Sequence, residues 1–188
     1  MKKQWIVLGV AVAVIFFSFL SLINSYNKLV NLEVNVQEQF AQIDTVLQRR
    51  NDLIPNLVAA VKGIAKQEKE VFGAIADARA RLAGAKGIND KVKANNDLTS
   101  AISRLLVVVE NYPQLRSSDS FLRLQDQLEG AENRISVERN RYNRVVGDYN
   151  RVRRSFPMFF LGRLFGFDGA KEFFKAPETA KAVPKVEF

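Results

Sequence analysis

Gln48–Gly63 reads QRRNDLIPNLVAAVKG. Two arginines, an asparagine and an aspartate interrupt a helical apolar pattern, a proline follows, and the pattern then resumes. The number of long helices in the fold turns on this stretch. If a helix ends at Arg49 or Arg50, then Asn51 or Asp52 caps the next one. Pro55 falls in that helix's first turn, where its missing N–H is not needed, and the two arginines face the negative end of the preceding helix. Each awkward residue then has a structural task at a tight corner, and Asp52→Ala costs about 0.5–2 kcal/mol. The other reading makes Arg49, Arg50, Asp52 and Asn56 a partner-binding surface at the tip of the fold.

On the N-terminal side, Leu29, Leu32, Val36, Phe40, Ile43 and Leu47 recur at three and four residues, one face of an amphipathic helix. On the C-terminal side the pattern returns with Leu57, Val61, Ile64, Phe72, Ile75 and Leu82. AGAKG at 83–87 reads as a loop. Ile88, Val92, Leu98, Ile102, Leu105 and Val109 make a third helix, which NYP at 111–113 ends, because Pro113 disfavours helical backbone at Tyr112. Ser117–Ser120 offers a cap for a fourth. Its seam is Phe121, Leu124, Leu128, Ala131, Ile135, Glu138, Tyr142, Val145, Tyr149, Val152 and Phe156, alternating three and four as in coiled-coil packing. Glu138 either reaches solvent at the edge of the seam or is buried against an arginine of a facing helix. No strand pattern competes.

The N-terminus is of a different kind. MKKQ precedes nineteen uncharged residues, Trp5 to Ile23, enough at ~1.5 Å per residue to approach the ~30 Å hydrocarbon thickness of a bilayer. Trp5, Ile15, Phe16, Phe17, Phe19 and Leu20 are the anchor residues of this span. No small-residue cleavage site follows, so an uncleaved single-pass anchor in the cell membrane is expected. Lys2 and Lys3 before the span against Lys28 after it favour a cytoplasmic N-terminus and an outer, periplasmic or extracellular, domain. The expected fold is therefore all-α. A transmembrane helix continues into an antiparallel bundle of four long helices, up-down-up-down, with an anchor at 1–24, a bundle at 25–156 and an aromatic-rich tail at 157–188.

This topology places Glu110, Asn111 and Tyr112 beside the Arg49–Asn56 corner at the membrane-distal tip. It returns the fourth helix to the bilayer, where RVRRSFPMFFLGRLFGF lies at 151–167. Arg151, Arg153, Arg154, Phe159 and Phe160 suit a lipid headgroup region. The alternative is a tail that packs back on the bundle, with Phe173 and Phe174 as a short docking motif.

Chemistry is constrained by what is missing. The chain has no cysteine and no histidine, which excludes thiol nucleophiles, zinc–thiolate sites and a Ser-His-Asp triad. Asp44, Asp52 and Glu68 are the remaining carboxylates for a hydrolase or an oxygen-ligand metal site, but no phosphate loop or nucleophile elbow accompanies them. The net charge of +8 is spread out; residues 24–80 carry seven Lys or Arg against seven Asp or Glu. The arginines at 134, 139, 141, 144 and 151 are interrupted by Glu138 and Asp148, so a solvated helix face is expected rather than nucleic-acid binding. No cofactor and no catalysis are expected. The expected partners are membrane lipid, other membrane proteins and a second copy of the chain, since Gly9, Ala11 and Ala13 permit close contact between spans.

QRRNDLIPNLVAAVKGIAKQE, LLVVVENYPQLRSSDSFLRLQDQLEGAENRI and RYNRVVGDYN, in this order and spacing, resemble the LemA family over nearly the whole chain from Tyr26 to Phe174. The resemblance implies an N-terminal membrane segment and a long-helix domain associated with membrane-protein partners, a heat-shock membrane metalloprotease among them. Many members carry histidine before the glutamate where this chain has Gln67-Glu68. That departure weakens any shared histidine chemistry.

Overall fold

The computed structural model describes residues 2–63, 65, 67–162, 164–167 and 169–175. Among them all regular structure is helical: α1 (Lys2–Lys62), α2 (Lys69–Gly84), α3 (Ile88–Glu110), α4 (Pro113–Arg116), α5 (Asp119–Arg154) and α6 (Met158–Leu161). Ile64 and the tail beyond Lys175 lie outside the described residues.

The corner expected at Arg49–Pro55 is not there. α1 runs unbroken through it, with Pro55 inside the helix. The apolar seam explains why. Ile43, Leu47, Ile54, Leu57 and Val61 are all buried, and the heptad position between Leu47 and Ile54 is filled by Arg50, itself 5% exposed. The three–four alternation is therefore continuous once the arginine is counted as a core residue. A proline in a helix interior costs about 3 kcal/mol. Burying Ile54, Leu57 and Val61 returns about 1.5–3 kcal/mol each, so packing outweighs the proline. Pro55 itself is exposed, on the face away from that seam.

The true corner lies at 63–68. Gly63 follows Lys62, and the Ala65 N–H bonds back to the Val61 carbonyl at 2.9 Å. A cation in the last turn and a glycine just past it are ordinary stop signals. The α2–α3 connection at Ala85–Gly87 and the stop at Pro113 fall where the sequence places them. Pro113 opens the short α4, which the sequence did not announce.

The described residues form two compact units: one from α1 up to Glu38 with Arg144–Lys171, the other Gln39–Asn143 with Glu172–Lys175. In the second, α2 and α3 form a helical hairpin bridged by Arg81 and Asp97 at 3.3 Å. Asp44 pairs with Lys91, and Arg50 with Asn95 and Thr99, so α1 and α3 advance in the same direction. Phe40 meets Tyr142 and Arg50 meets Glu132, so α1 and α5 run oppositely there. In the first unit, Leu29 and Val36 of α1 and Val146 and Tyr149 of α5 are buried together with Met158 and Phe167.

The seam of α5 is buried at Phe121, Leu128, Ala131, Ile135, Tyr142 and Tyr149. The rest differ from the expected pattern. Leu124 and Val152 are half-buried, Val146 rather than Val145 is buried, and Phe156 lies beyond the helix, 85% exposed. Glu138 pairs with Arg141 of its own helix at 2.8 Å. It neither points freely to solvent nor needs an arginine from a facing helix.

Candidate functional site

Within the second unit, the residues of the QRRND stretch part ways. Arg50 and Asn51 turn inward; Arg49, Asp52 and Asn56 face outward. Arg50 Nη1 donates to Asn95 Oδ1 at 2.8 Å and to Thr99 Oγ1 at 3.0 Å. The same nitrogen lies 2.9 Å from Glu132 Oε2, close enough for an ion pair but not aligned as a hydrogen bond. Burial lowers the Arg50 pKa from its ordinary value, and Glu132 pulls it partly back. Arg79 Nε donates to Asn51 Oδ1 at 3.3 Å. One turn or two earlier, buried Lys91 pairs with Asp44 and lies over the Phe40 ring. Helices α1, α2, α3 and α5 thus each contribute to one interior polar layer.

Such a layer costs desolvation energy, which its pairings offset in part: Arg50 Nε and Glu132 Oε2 are buried without a hydrogen-bond partner among the described residues. These contacts tie α1 to α2, α3 and α5. Arg50 is withdrawn from the expected partner-binding tip. Asp52 is no cap: it accepts from Gln48 Nε2 at 2.8 Å, an i,i+4 contact on an exposed helix face. Nor do the two motifs meet. Arg50 is level with Asn95 and Thr99, and Glu110 lies eleven residues past Thr99, about 16 Å further along α3. Glu110 and Asn111 are exposed and Tyr112 is half-buried, at the end of α3.

The candidate carboxylates do not converge. Asp44 is engaged by Lys91, and Asp52 stands eight residues on along the same helix, about 12 Å away. Glu68 lies beyond the end of α1. Among the described residues no group of three or more Asp or Glu is placed to hold a metal ion. Of the α5 arginines, Arg139 covers the Phe174 ring at 4.6 Å, Arg141 pairs with Glu138 and Arg151 with Asp148. Burial lowers the Arg139 pKa, with Glu132 opposing the shift.

A second arrangement was missed in the sequence. In the second unit, Asn143 uses both ends of its amide on one residue: Nδ2 donates to the Phe174 carbonyl at 3.0 Å, and Oδ1 accepts the Phe174 N–H at 2.8 Å. The Tyr142 hydroxyl donates to the Glu172 carbonyl at 3.1 Å. Phe174 is 2% exposed while Phe173 faces outward. In the first unit, Asn150 treats Lys171 in the same way, at 2.9 Å for both bonds, and Lys171 Nζ reaches Glu33 at 2.5 Å. The signal is a repeated Tyr-Asn pair seven residues apart, Tyr142-Asn143 and Tyr149-Asn150. Each tyrosine is a seam residue and each asparagine sits one place beyond it, at the edge. Burial raises the Tyr142 pKa, and Glu172 adds to the rise.

The anchor residues Trp5, Ile15, Phe16, Phe17, Phe19 and Leu20 are all exposed. α1 is long and apolar enough to cross a membrane, and none of its most apolar 18-residue window is buried. Of the expected membrane-surface residues, Arg151, Arg154, Phe159 and Phe160 are exposed. Arg153 is not free: its Nε donates to the Phe167 carbonyl at 3.0 Å, and Phe167 is buried against Tyr26.

The molecule is thus an all-helical protein with an exposed apolar N-terminal helix and an interior polar layer. Its residues 39–188 match the LemA family profile, and the chain belongs to the LemA family. It is similar to the magnetosome protein MamQ of Magnetospirillum gryphiswaldense, 23% identical over 96% of this chain and 77% of the relative. It is also similar to magnetosome protein MamQ 2 of Paramagnetospirillum magneticum, 25% identical over 84% of this chain and 67% of the relative.

Proposed function

We propose that the protein is a single-pass membrane scaffold or adaptor: a four-helix, coiled-coil-like antiparallel bundle carried on an N-terminal span, acting by association rather than by chemistry. One observation carries this reading. The exposed apolar segment of α1 is continuous with a helix whose further turns are locked into a folded unit. An unburied run of this length needs an apolar solvent, and a bilayer supplies one. The relatives are described by the structure they belong to, the magnetosome, and we read this chain in the same terms, as a component of a membrane assembly. Its partners are then membrane proteins or further copies of itself.

Arg49, Asp52 and Asn56 remain as one exposed candidate surface, and Glu110, Asn111 and Tyr112 as a separate one. Substituting either set tests them: loss of a crosslinked partner with unchanged thermal stability supports a docking role, and loss of neither excludes it. The orientation we favour puts the N-terminus in the cytoplasm and the helical domain outside. Protease added to spheroplasts should then remove the domain; its survival reverses the assignment.

A further inference from the structure

The aromatic stretch after α5 is built differently from a tail that has packed back. In the first unit its side chains divide. Met158 and Phe167 are buried, whereas Phe156, Phe160 and Leu164 are 85%, 70% and 77% exposed, as open as the candidate span itself. An open recess of about 560 Å³ joins the two, with Phe17, Ser21 and Leu22 of α1 on one side and Phe156, Phe160 and Leu161 on the other. Phe17 stands six residues inside the end of the span at Ile23, about 9 Å along the helix. Phe156 and Phe160 therefore lie alongside the apolar segment, not beyond it.

The backbone of the stretch is also suited to an apolar surrounding. The N–H groups of Phe159, Phe160, Leu161, Gly162, Phe165 and Phe167 all donate to carbonyls between Ser155 and Gly162. Hydrocarbon requires backbone polar groups to be satisfied internally, and these six N–H groups are. Two glycines hold the turn. Gly166 has φ +81°, and a Cβ on Gly162 would lie 2.8 Å from the Met158 carbonyl oxygen. Tyr26 packs edge-on against Phe165 and Phe167, fixing the turn to α1 just past the span. Arg151 and Arg154, exposed in the last turn of α5, supply cations next to this aromatic surface.

The geometry points to residues 156–161 as a second lipid-immersed element: a hook whose Phe156 and Phe160 enter the acyl region beside Phe17–Leu22, with Arg151 and Arg154 at the phosphates. This goes deeper than a headgroup contact and rests on the reading of α1 as a span. Arginine above and phenylalanine below suits the two layers of a leaflet.

The test uses full-length protein in lipid nanodiscs. Trp5 is the only tryptophan, so Trp5→Phe gives a silent background. Phe160→Trp and Phe156→Trp report on the hook, and Phe16→Trp on the span. Lipids brominated along the acyl chain should quench the hook probes and the span probe alike, and aqueous acrylamide should quench all of them several-fold less. Hook probes quenched by acrylamide and spared by bromolipid, with Phe16→Trp still quenched by bromolipid, overturn the hook and leave the span standing. Hook probes shielded from both quenchers mean that protein covers them, which also overturns it. A Phe16→Trp probe open to acrylamide removes the span and the hook together.

Discussion

Arg50 occupies a core position on α1, between Leu47 and Ile54, and its charge is met by Asn95, Thr99 and Glu132. Truncating a fully buried pair costs about 3–5 kcal/mol. The Glu132 side chain is 44% exposed, so Arg50→Ala should cost less, about 2–4 kcal/mol, read as a shift in urea midpoint. Asp52→Ala should move stability by no more than about 0.5 kcal/mol, because it removes only an exposed i,i+4 contact. A larger loss would restore the capping role and with it a corner at 49–55. At this scale the sequence was misleading for a definable reason. An arginine breaks an apolar pattern whether it stands outside or in a core position, and only the partners 45 and more residues away distinguish the two.

Elements were more legible than residues. The loop at 83–87, the stop at Pro113 and the long α5 all followed from glycine, proline and three–four spacing. The length of α1 did not. Pro55 reads as a first-turn residue, whereas the signal that ends α1 is the later pair Lys62 and Gly63, which has the usual form. Pro55→Ala should therefore stabilise the protein, by up to about 3 kcal/mol, since it returns an N–H to the helix interior; a destabilised variant would argue for a break there. The Tyr-Asn repeat was legible in principle, yet periodicity assigns the tyrosines to the seam and says nothing of an extended segment that the asparagines hold. Asn143→Ala should cost about 1–3 kcal/mol and speed exchange of the Phe174 amide. The Tyr142 hydroxyl has a clear pH signature. Its folded pKa lies above the unfolded value of about 10, so its contribution is complete below that pH and is lost as pH rises beyond it. Urea midpoints should fall as pH rises above about 10, and fall less in Tyr142→Phe; equal falls would remove Tyr142 from the account.

For the whole molecule, composition and topology point to the same kind of protein. The absent histidine and cysteine limit catalytic chemistry, the carboxylates stand apart, and an unburied apolar helix leads into a folded unit. The central claim is that the protein works by holding other membrane proteins, or itself, in place. The direct measurement is lysine-reactive crosslinking in native membranes with mass spectrometry. Crosslinks from the folded domain to a membrane protein or to a second copy are the expected result. Protein recovered as monomer alone, at crosslinker levels that trap known neighbours in the same membranes, would contradict it.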